Sequence, residues 1–164
     1  MTKILAGHQA PHFALNGTCG RPFALQEALR KGPVVAAFFK SSCPVCQFAF
    51  PFLERLYKEY GDERASFVGI SQDDARDTKE FCDELGVSFP VLVDEDGYPV
   101  SNQYGLTNVP TVFLVDPDGT VKVSSLGFVK ADLEEISAEL GHYLGRPPVK
   151  VFRPDEIVPD YKPG

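Results

Sequence analysis

Two cysteines three positions apart, Cys43 and Cys46, form a C-x-x-C motif at the junction of two predicted elements. The preceding segment, Val34 to Phe39, is β-branched and aromatic, which is typical of a buried strand, and an amphipathic helical pattern begins at the first cysteine. Positions i and i+3 lie on one side of a helix, within the reach that a disulfide requires. We therefore expect this pair to open and close as a dithiol and a disulfide.

The predicted helix start distinguishes the two thiols. Unpaired backbone N–H groups and a partial positive charge at a helix N-terminus favour a thiolate, and they act mainly on Cys43. Lys40 adds positive charge nearby, and Ser41 or Ser42 is expected to cap the helix. We interpret Cys43 as the attacking nucleophile and Cys46 as the thiol that resolves the mixed disulfide.

Two other uses of a C-x-x-C motif are disfavoured. A zinc site needs four ligands, and no second pair stands at ligand spacing among the remaining candidates, which are Cys19, Cys82, His8, His12 and His142. A purely structural disulfide is uncommon at a helix N-terminus, where thiolates are activated. No metal is therefore expected, and the redox interpretation is preferred.

The other cysteines and the histidines are interpreted as bystanders. Cys82 lies on the apolar stripe of a predicted helix, which favours a buried, inert thiol. Cys19 stands in a polar, glycine-flanked turn and is expected to be exposed; a third redox partner or a glutathionylation site is the alternative. The three histidines are expected at the surface or at helix caps.

Length and composition are those of one ordinary soluble domain. The chain has 164 residues, 43% of them hydrophobic and 24% charged. Its net charge of −7 argues against binding to nucleic acid or to an anionic membrane, so the expected partners are protein disulfides or dithiols and a thiol reductant. The chain as given lacks the apolar stretch of a signal peptide, and we expect a cytoplasmic, monomeric protein, although a removed leader would leave the same sequence.

Strands and helices alternate along the chain in the manner of an α/β fold. A hairpin is predicted between residues 13 and 25, followed by a short helix, the strand before the cysteines and a long helix to Tyr60 that contains Pro51. Further strands are predicted at 66–71, 89–93, 111–116 and 120–125, with helices at 74–85 and from Asp132 to about 144, the last opened by an Asp132–Glu135 capping box. We expect a single domain over residues 1–164, with a core at about 12–144 and a proline-rich extended tail at 145–164, either strapped over the domain or held by a partner.

The order of four features resembles the thioredoxin superfamily, specifically its TlpA/ResA-like branch, which shares the AhpC/TSA type of domain. They are the Cys43–Cys46 motif, Pro51 five residues later, a helix-strand insertion at 74–93, and Val109-Pro110 before an apolar strand. The resemblance implies a thioredoxin-like fold with a central mixed sheet flanked by helices. It also implies thiol-disulfide oxidoreductase activity through a redox-active Cys43–Cys46 disulfide without a bound cofactor, and a role in redox homeostasis.

The resemblance also implies a substrate surface. In this family the proline of the Val109-Pro110 pair is cis and lies against the disulfide, and the preceding residue offers its backbone to a substrate chain. Only an X-Pro bond adopts the cis form at modest cost. Val109, Pro110 and Pro44 are accordingly the expected substrate-binding residues.

Two departures from thioredoxin itself change the expected proton relay. An aromatic residue before the first cysteine and a buried acid in the preceding strand are replaced by Ser42 and Ala37. In the TlpA/ResA-like branch a carboxylate at the start of the inserted helix takes that role, and the spacing places it at Asp73, a candidate catalytic base for Cys46. The alternative is that Asp73 or Asp74 only caps the helix.

Two other functions are compatible with parts of the pattern. A peroxiredoxin-like thiol peroxidase, an antioxidant enzyme, needs a proline and a threonine upstream of its cysteine, but Ala36 and Lys40 stand at those places before Cys43, and Phe39 and Cys43 before Cys46. A Sco-like copper-delivery module uses C-x-x-x-C and a distant histidine, which the shorter motif spacing does not match. Thiol-disulfide exchange is preferred over both.

Overall fold

The structure is a computed structural model that describes residues 3–164. Its elements, in chain order, are β1 (Ala14–Asn16), β2 (Pro22–Ala24), α1 (Leu25–Leu29), β3 (Val34–Phe39), α2 (Pro44–Tyr60), β4 (Ser66–Ser71), α3 (Ala75–Leu85), β5 (Val91–Val93), α4 (Pro99–Gln103), β6 (Thr111–Val115), β7 (Val121–Leu126), β8 (Phe128–Val129), α5 (Lys130–Leu144) and β9 (Tyr161–Lys162). No helix within residues 3–164 is both long and apolar enough to cross a membrane.

A mixed sheet of order β5–β4–β3–β6–β7 forms the centre of the fold. All six residues of β3 are buried, since both faces of the sheet are covered and the strand needs no polar alternation. β3 runs parallel to β4 and antiparallel to β6. The parallel connection from β3 to β4 requires a crossover, and α2 supplies it, so this helix starts at the carboxyl end of the central strand.

Each face of the sheet packs against its own hydrophobic cluster. One cluster includes α2 residues such as Phe50 and Leu53 together with Ile136 of α5. The other includes Leu25 of α1 and Tyr104, the C-cap residue of α4. The aromatic rings of Phe39 and Phe50 lie 4.5 Å apart between centroids, which fixes the first turns of α2 against the strand that precedes the cysteines.

The predicted α/β architecture and thioredoxin-like sheet are confirmed, with two local differences. α5 begins at Lys130 rather than Asp132, and its N-cap is Val129, which makes no side-chain capping bond, so the predicted capping box is wrong. The reason is that the chain enters α5 directly from β8. β8 and its partner β9 were not predicted, because two-residue strands show no periodicity.

The tail at residues 145–164 is extended and lies along the domain. Val151 is buried, and the Phe152 ring packs 5.0 Å from Phe52 of α2. Arg55 of α2 holds the Glu156 carboxylate through two 2.7 Å hydrogen bonds. Of the two arrangements expected for this segment, the structure shows the strapped one.

Candidate active site

Cys43 is the N-cap residue of α2, and its own sulfur caps the helix. The backbone at Cys43 is extended, and Cys43 Sγ accepts a hydrogen bond from the Cys46 amide at 3.2 Å. The predicted cap at Ser41 or Ser42 is therefore wrong. Pro44 occupies the first helical position, where its missing N–H leaves no donor unpaired.

The two cysteines differ in depth. Cys43 is partly exposed, whereas the Cys46 side chain is completely buried. Burial raises the pKa of the Cys46 thiol far above its usual value, and the hydrogen bond with Cys43 and the negative charge of Asp73 act in the same direction. Cys46 is therefore an uncharged thiol at neutral pH, while Cys43 is open to a reaction partner.

A second loop faces the dithiol from the start of β6. The Val109–Pro110 peptide bond is cis, as predicted, and the Cys43 thiol donates to the Val109 carbonyl oxygen at 3.5 Å. Thr111 Oγ1 donates to the Asn108 carbonyl at 2.7 Å, and the Gly127 amide donates to the Pro110 carbonyl at 2.8 Å. These bonds hold the loop beside the Cys43 sulfur.

The two candidate aspartates before α3 have separate places. Asp74 is the N-cap of α3, and its carboxylate accepts from the Asp77 amide at 2.8 Å. Asp73 turns toward the active-site loop instead, where its carboxylate accepts from the Ser41 amide at 2.6 Å. Asp73 is therefore not the cap of this helix, and its charge is near enough to Cys46 to raise the pKa of that thiol.

Sequence reasoning missed how the loop before Cys43 is fixed. Both backbone polar groups of Ser41 form hydrogen bonds to side chains. Its amide donates to the Asp73 carboxylate, and its carbonyl accepts from Gln47 Nε2 at 2.9 Å. Gln47 lies on the exposed side of α2, where a glutamine has no distinctive signal in a single sequence. Ala37, at the position where thioredoxin has its buried acid, lies in the core.

The remaining cysteines and histidines lie away from these contacts. Cys82 is half-buried, and burial raises the pKa of its thiol to about 11. Cys19 is exposed, as expected, and His8, His12 and His142 are also exposed. In the described part of the chain, no three His, Cys, Asp or Glu side chains are grouped as metal ligands would be.

Comparisons with known proteins agree with this geometry. The profile of the AhpC/TSA family matches residues 6–124. The thiol-disulfide oxidoreductase ResA of Halalkalibacterium halodurans is 33% identical over 132 residues, which cover 79% of this chain and 74% of that protein.

Solved structures show the same fold. A thiol:disulfide interchange protein of the thioredoxin family from Chlorobium tepidum superposes with a TM-score of 0.68 at 26% identity, covering 88% of this chain and 100% of that one. The thioredoxin domain of a thiol-disulfide oxidoreductase from Bacteroides vulgatus reaches a TM-score of 0.74 at 22% identity, covering 84% and 98%, and shows the fold alone. From the matched residues, the fold and the dithiol together, we conclude that the chain belongs to the AhpC/TSA family and is a thiol-disulfide oxidoreductase of thioredoxin-like fold.

Proposed function

We propose that the protein exchanges disulfides with polypeptide substrates through Cys43 and Cys46, with no bound cofactor. The observation that supports this most directly is the pairing of an accessible sulfur with a buried one at a single helix start. Cys43 is partly exposed and contacts the Val109 carbonyl, while Cys46 is buried one turn further along α2. Such a pair can attack a partner and then release it.

In the reducing direction the electrons pass in two steps. The Cys43 thiolate attacks one sulfur of the substrate disulfide, so a Cys43–substrate bond forms and the other substrate sulfur leaves as a thiolate. Cys46 then loses its proton and attacks the Cys43 sulfur, which releases the second substrate thiolate and leaves the Cys43–Cys46 disulfide. The protein is oxidised by two electrons, and a thiol reductant restores it. The same steps in reverse would oxidise a substrate dithiol.

Asp73 is the proposed base for the second step. Because the pKa of Cys46 is raised, its proton has to be removed as the attack proceeds. Asp73 is fixed by the Ser41 amide beside the loop that carries Cys43, and its charge already acts on Cys46. We propose that this carboxylate takes the proton from Cys46 directly or through one water.

Val109, Pro110 and Pro44 are the proposed substrate contacts. Pro44 is exposed next to Cys43, and the Val109 carbonyl lies against the Cys43 sulfur. An extended substrate chain that bonds to the Val109 backbone would bring its own sulfur to Cys43.

A peroxiredoxin-like thiol peroxidase is the second candidate, because the resemblance to the AhpC/TSA type of domain extends to that neighbouring class of enzyme. The residues at the places of the peroxidatic proline and threonine, Ala36 and Lys40, are unsuited to polarise a peroxide. Consumption of hydrogen peroxide in the presence of dithiothreitol would distinguish the two activities. We expect peroxide consumption to be far slower than disulfide reduction.

A cytoplasmic location and a monomeric state are proposed together with this function. Cell fractionation tests the location, and light scattering on the purified protein tests the oligomeric state. Neither outcome changes the chemistry proposed for the dithiol.

Reduction of insulin by the protein, recycled by dithiothreitol, tests the proposed function. We expect Cys43→Ser to abolish catalysis, while Cys19→Ser, a change at an exposed thiol, retains the parent rate. An enzyme that stays active without Cys43, or a parent chain that never reduces insulin, would contradict the proposal.

A further inference from the structure

The end of the tail, residues 160–164, lies against the proposed substrate surface. Lys162 and Tyr161 of β9 pair with Phe128 and Val129 of β8, and the Lys130 amide donates to the Asp160 carbonyl at 2.9 Å. This short ladder brings the tail end across the edge of the fold next to the Val109–Pro110 loop.

Gly164 covers the Val109 carbonyl. A Cβ added at Gly164 would overlap the Val109 carbonyl oxygen and would lie 2.8 Å from Asn108 Nδ2. The same carbonyl oxygen accepts from the Cys43 thiol. The tail end therefore lies against the Val109 carbonyl, the backbone group that the proposed function assigns to binding of a substrate chain.

Lys162 contacts the other side of the site. Its Nζ lies 5.0 Å from the centroid of the Phe48 ring, and Phe48 follows Cys46 by two residues on α2. The tail end thus contacts both the helix that carries the cysteines and the loop that faces them, without burying Cys43, which stays partly exposed.

Attachment of the tail is strong in its middle and weak at its end. Val151 is buried in the core, and Arg55 binds both Glu156 and the Val151 carbonyl, the latter at 3.1 Å. Beyond these residues the tail is mostly exposed, and its ladder with β8 is only two residues long. So short a ladder is marginal by itself and opens at low free-energy cost.

We propose that residues 160–164 are a displaceable cover of the substrate surface, which an extended polypeptide replaces by pairing with Phe128–Val129 and with the Val109 backbone. This inference rests on the proposed disulfide exchange. Strand addition at an exposed edge is a common mode of peptide binding, and β8 offers such an edge once β9 leaves. Residues 145–164 contain no cysteine, so this segment covers the site without entering the exchange.

The cover discriminates between substrates by size. A small disulfide needs only the exposed part of Cys43 and reacts with the tail in place. A polypeptide needs the Val109 carbonyl and the β8 edge, so its apparent affinity is reduced by the fraction of molecules in which the tail is closed. Removal of the tail end should therefore accelerate the reduction of polypeptides alone.

A chain that ends at Asp160 tests this, since it lacks β9 and Gly164 but keeps the Arg55–Glu156 contact. We expect kcat/KM for insulin to rise about tenfold, as it would for a cover closed in roughly nine molecules of ten, with the rate for oxidised glutathione unchanged. The control is Ile157→Ala in the full chain, because the Ile157 side chain is fully exposed.

A substitution in the full chain gives an independent test. Lys162→Glu removes the cation from the Phe48 ring and should raise the insulin rate about two- to fivefold, whereas Lys150→Glu, the same charge change at an exposed tail position, should not. Equal acceleration toward insulin and oxidised glutathione would overturn the proposed cover. So would an insulin rate that stays unchanged or falls in both the shortened chain and the Lys162→Glu variant. A parent chain inert toward both disulfides would instead contradict the exchange function.

Discussion

The two ends of α2 serve different purposes with different chemistry. At its first turn a partly exposed sulfur, Cys43, caps the helix and contacts the Val109 carbonyl. In its last two turns Arg55 and Tyr60 bind the tail, Arg55 through the Glu156 carboxylate and Tyr60 through its hydroxyl, which accepts from the Val149 amide at 2.6 Å. The first end keeps a partly exposed sulfur beneath the short, weakly attached end of the tail, whereas the last turns are bound by the firmly attached part of the tail.

This difference shows how one helix can combine reactivity with rigidity. The first turn has backbone N–H groups without helical partners, which sulfur can use, so it suits a nucleophile. The last turns are fixed by buried packing and by hydrogen bonds to a distant segment, which holds the first turn in place. Substitutions at the two ends should therefore affect different measurements, the first end catalysis and the second end stability.

Cys46→Ser should have the largest effect, the arrest of the reaction after its first step. Without the resolving thiol, Cys43 forms a mixed disulfide with the substrate that is not released, and multiple turnover falls about 10³-fold or more. Mass spectrometry after incubation with insulin should show a covalent adduct at Cys43. Because Cys46 is buried and its pKa is raised, iodoacetamide should modify Cys43 before Cys46 in the parent protein, and labelling of Cys46 before Cys43 would reverse the assigned roles.

Asp73→Asn should slow turnover by about tenfold to a hundredfold, the range for loss of a general base. Asparagine can still accept from the Ser41 amide, so the loop keeps its anchor. The deficit should be largest at neutral and lower pH and should shrink as pH rises toward the raised pKa of Cys46, where the thiol loses its proton without help. Asp74→Asn, at the neighbouring helix cap, is the control, and an identical pH–rate profile for both variants would leave Asp73 a structural role only.

The site could be predicted from sequence wherever a local signal exists. The C-x-x-C motif predicted one side of the site, and Val109-Pro110 predicted the loop on the other side. The two sides meet in the structure, where the Cys43 thiol contacts the Val109 carbonyl. The spacing placed the candidate base at Asp73, but which of Asp73 and Asp74 caps α3 could not be decided, because both suit a helix N-cap and only the orientation of each side chain distinguishes them. The sulfur cap at Cys43 was missed for a similar reason, since two serines just before it are stronger capping residues by type.

The fold shows the same division between local and distant information. The β1–β2 hairpin was predicted because a turn-rich segment joins its two strands. The β8–β9 pair joins residues more than thirty positions apart, and neither strand has a periodic pattern. Its formation depends on contacts such as Arg55–Glu156 that bring the tail back, and a single sequence does not show that these residues meet.

Tyr60→Phe should destabilise the fold by about 1–3 kcal/mol, because it leaves the Val149 amide without its acceptor in a partly buried position. The ring contacts remain, so the loss reports the hydroxyl, which also bonds Ser137 Oγ at 2.8 Å. Urea unfolding measures the change. Tyr143→Phe, at an exposed tyrosine, should stay within about 0.5 kcal/mol of the parent, and equal losses in the two variants would show that the tail is not anchored here.

Glu156→Gln should have the smallest effect, and one that depends on pH. Arg55 and the Arg153 amide hold the pKa of the Glu156 carboxyl at about 2, below its usual 4.5. A carboxyl whose pKa is lowered by folding stabilises the protein above its unfolded pKa, and that contribution is lost as pH falls from about 4.5 toward about 2. The parent should therefore melt slightly above the variant at pH 6, and the difference should vanish near pH 2.

Both side chains are partly exposed, so added salt should also reduce the difference in melting temperature between the parent and Glu156→Gln. A Glu156→Gln difference that persisted at pH 2 would mean that the contact stabilises the tail by packing rather than by charge.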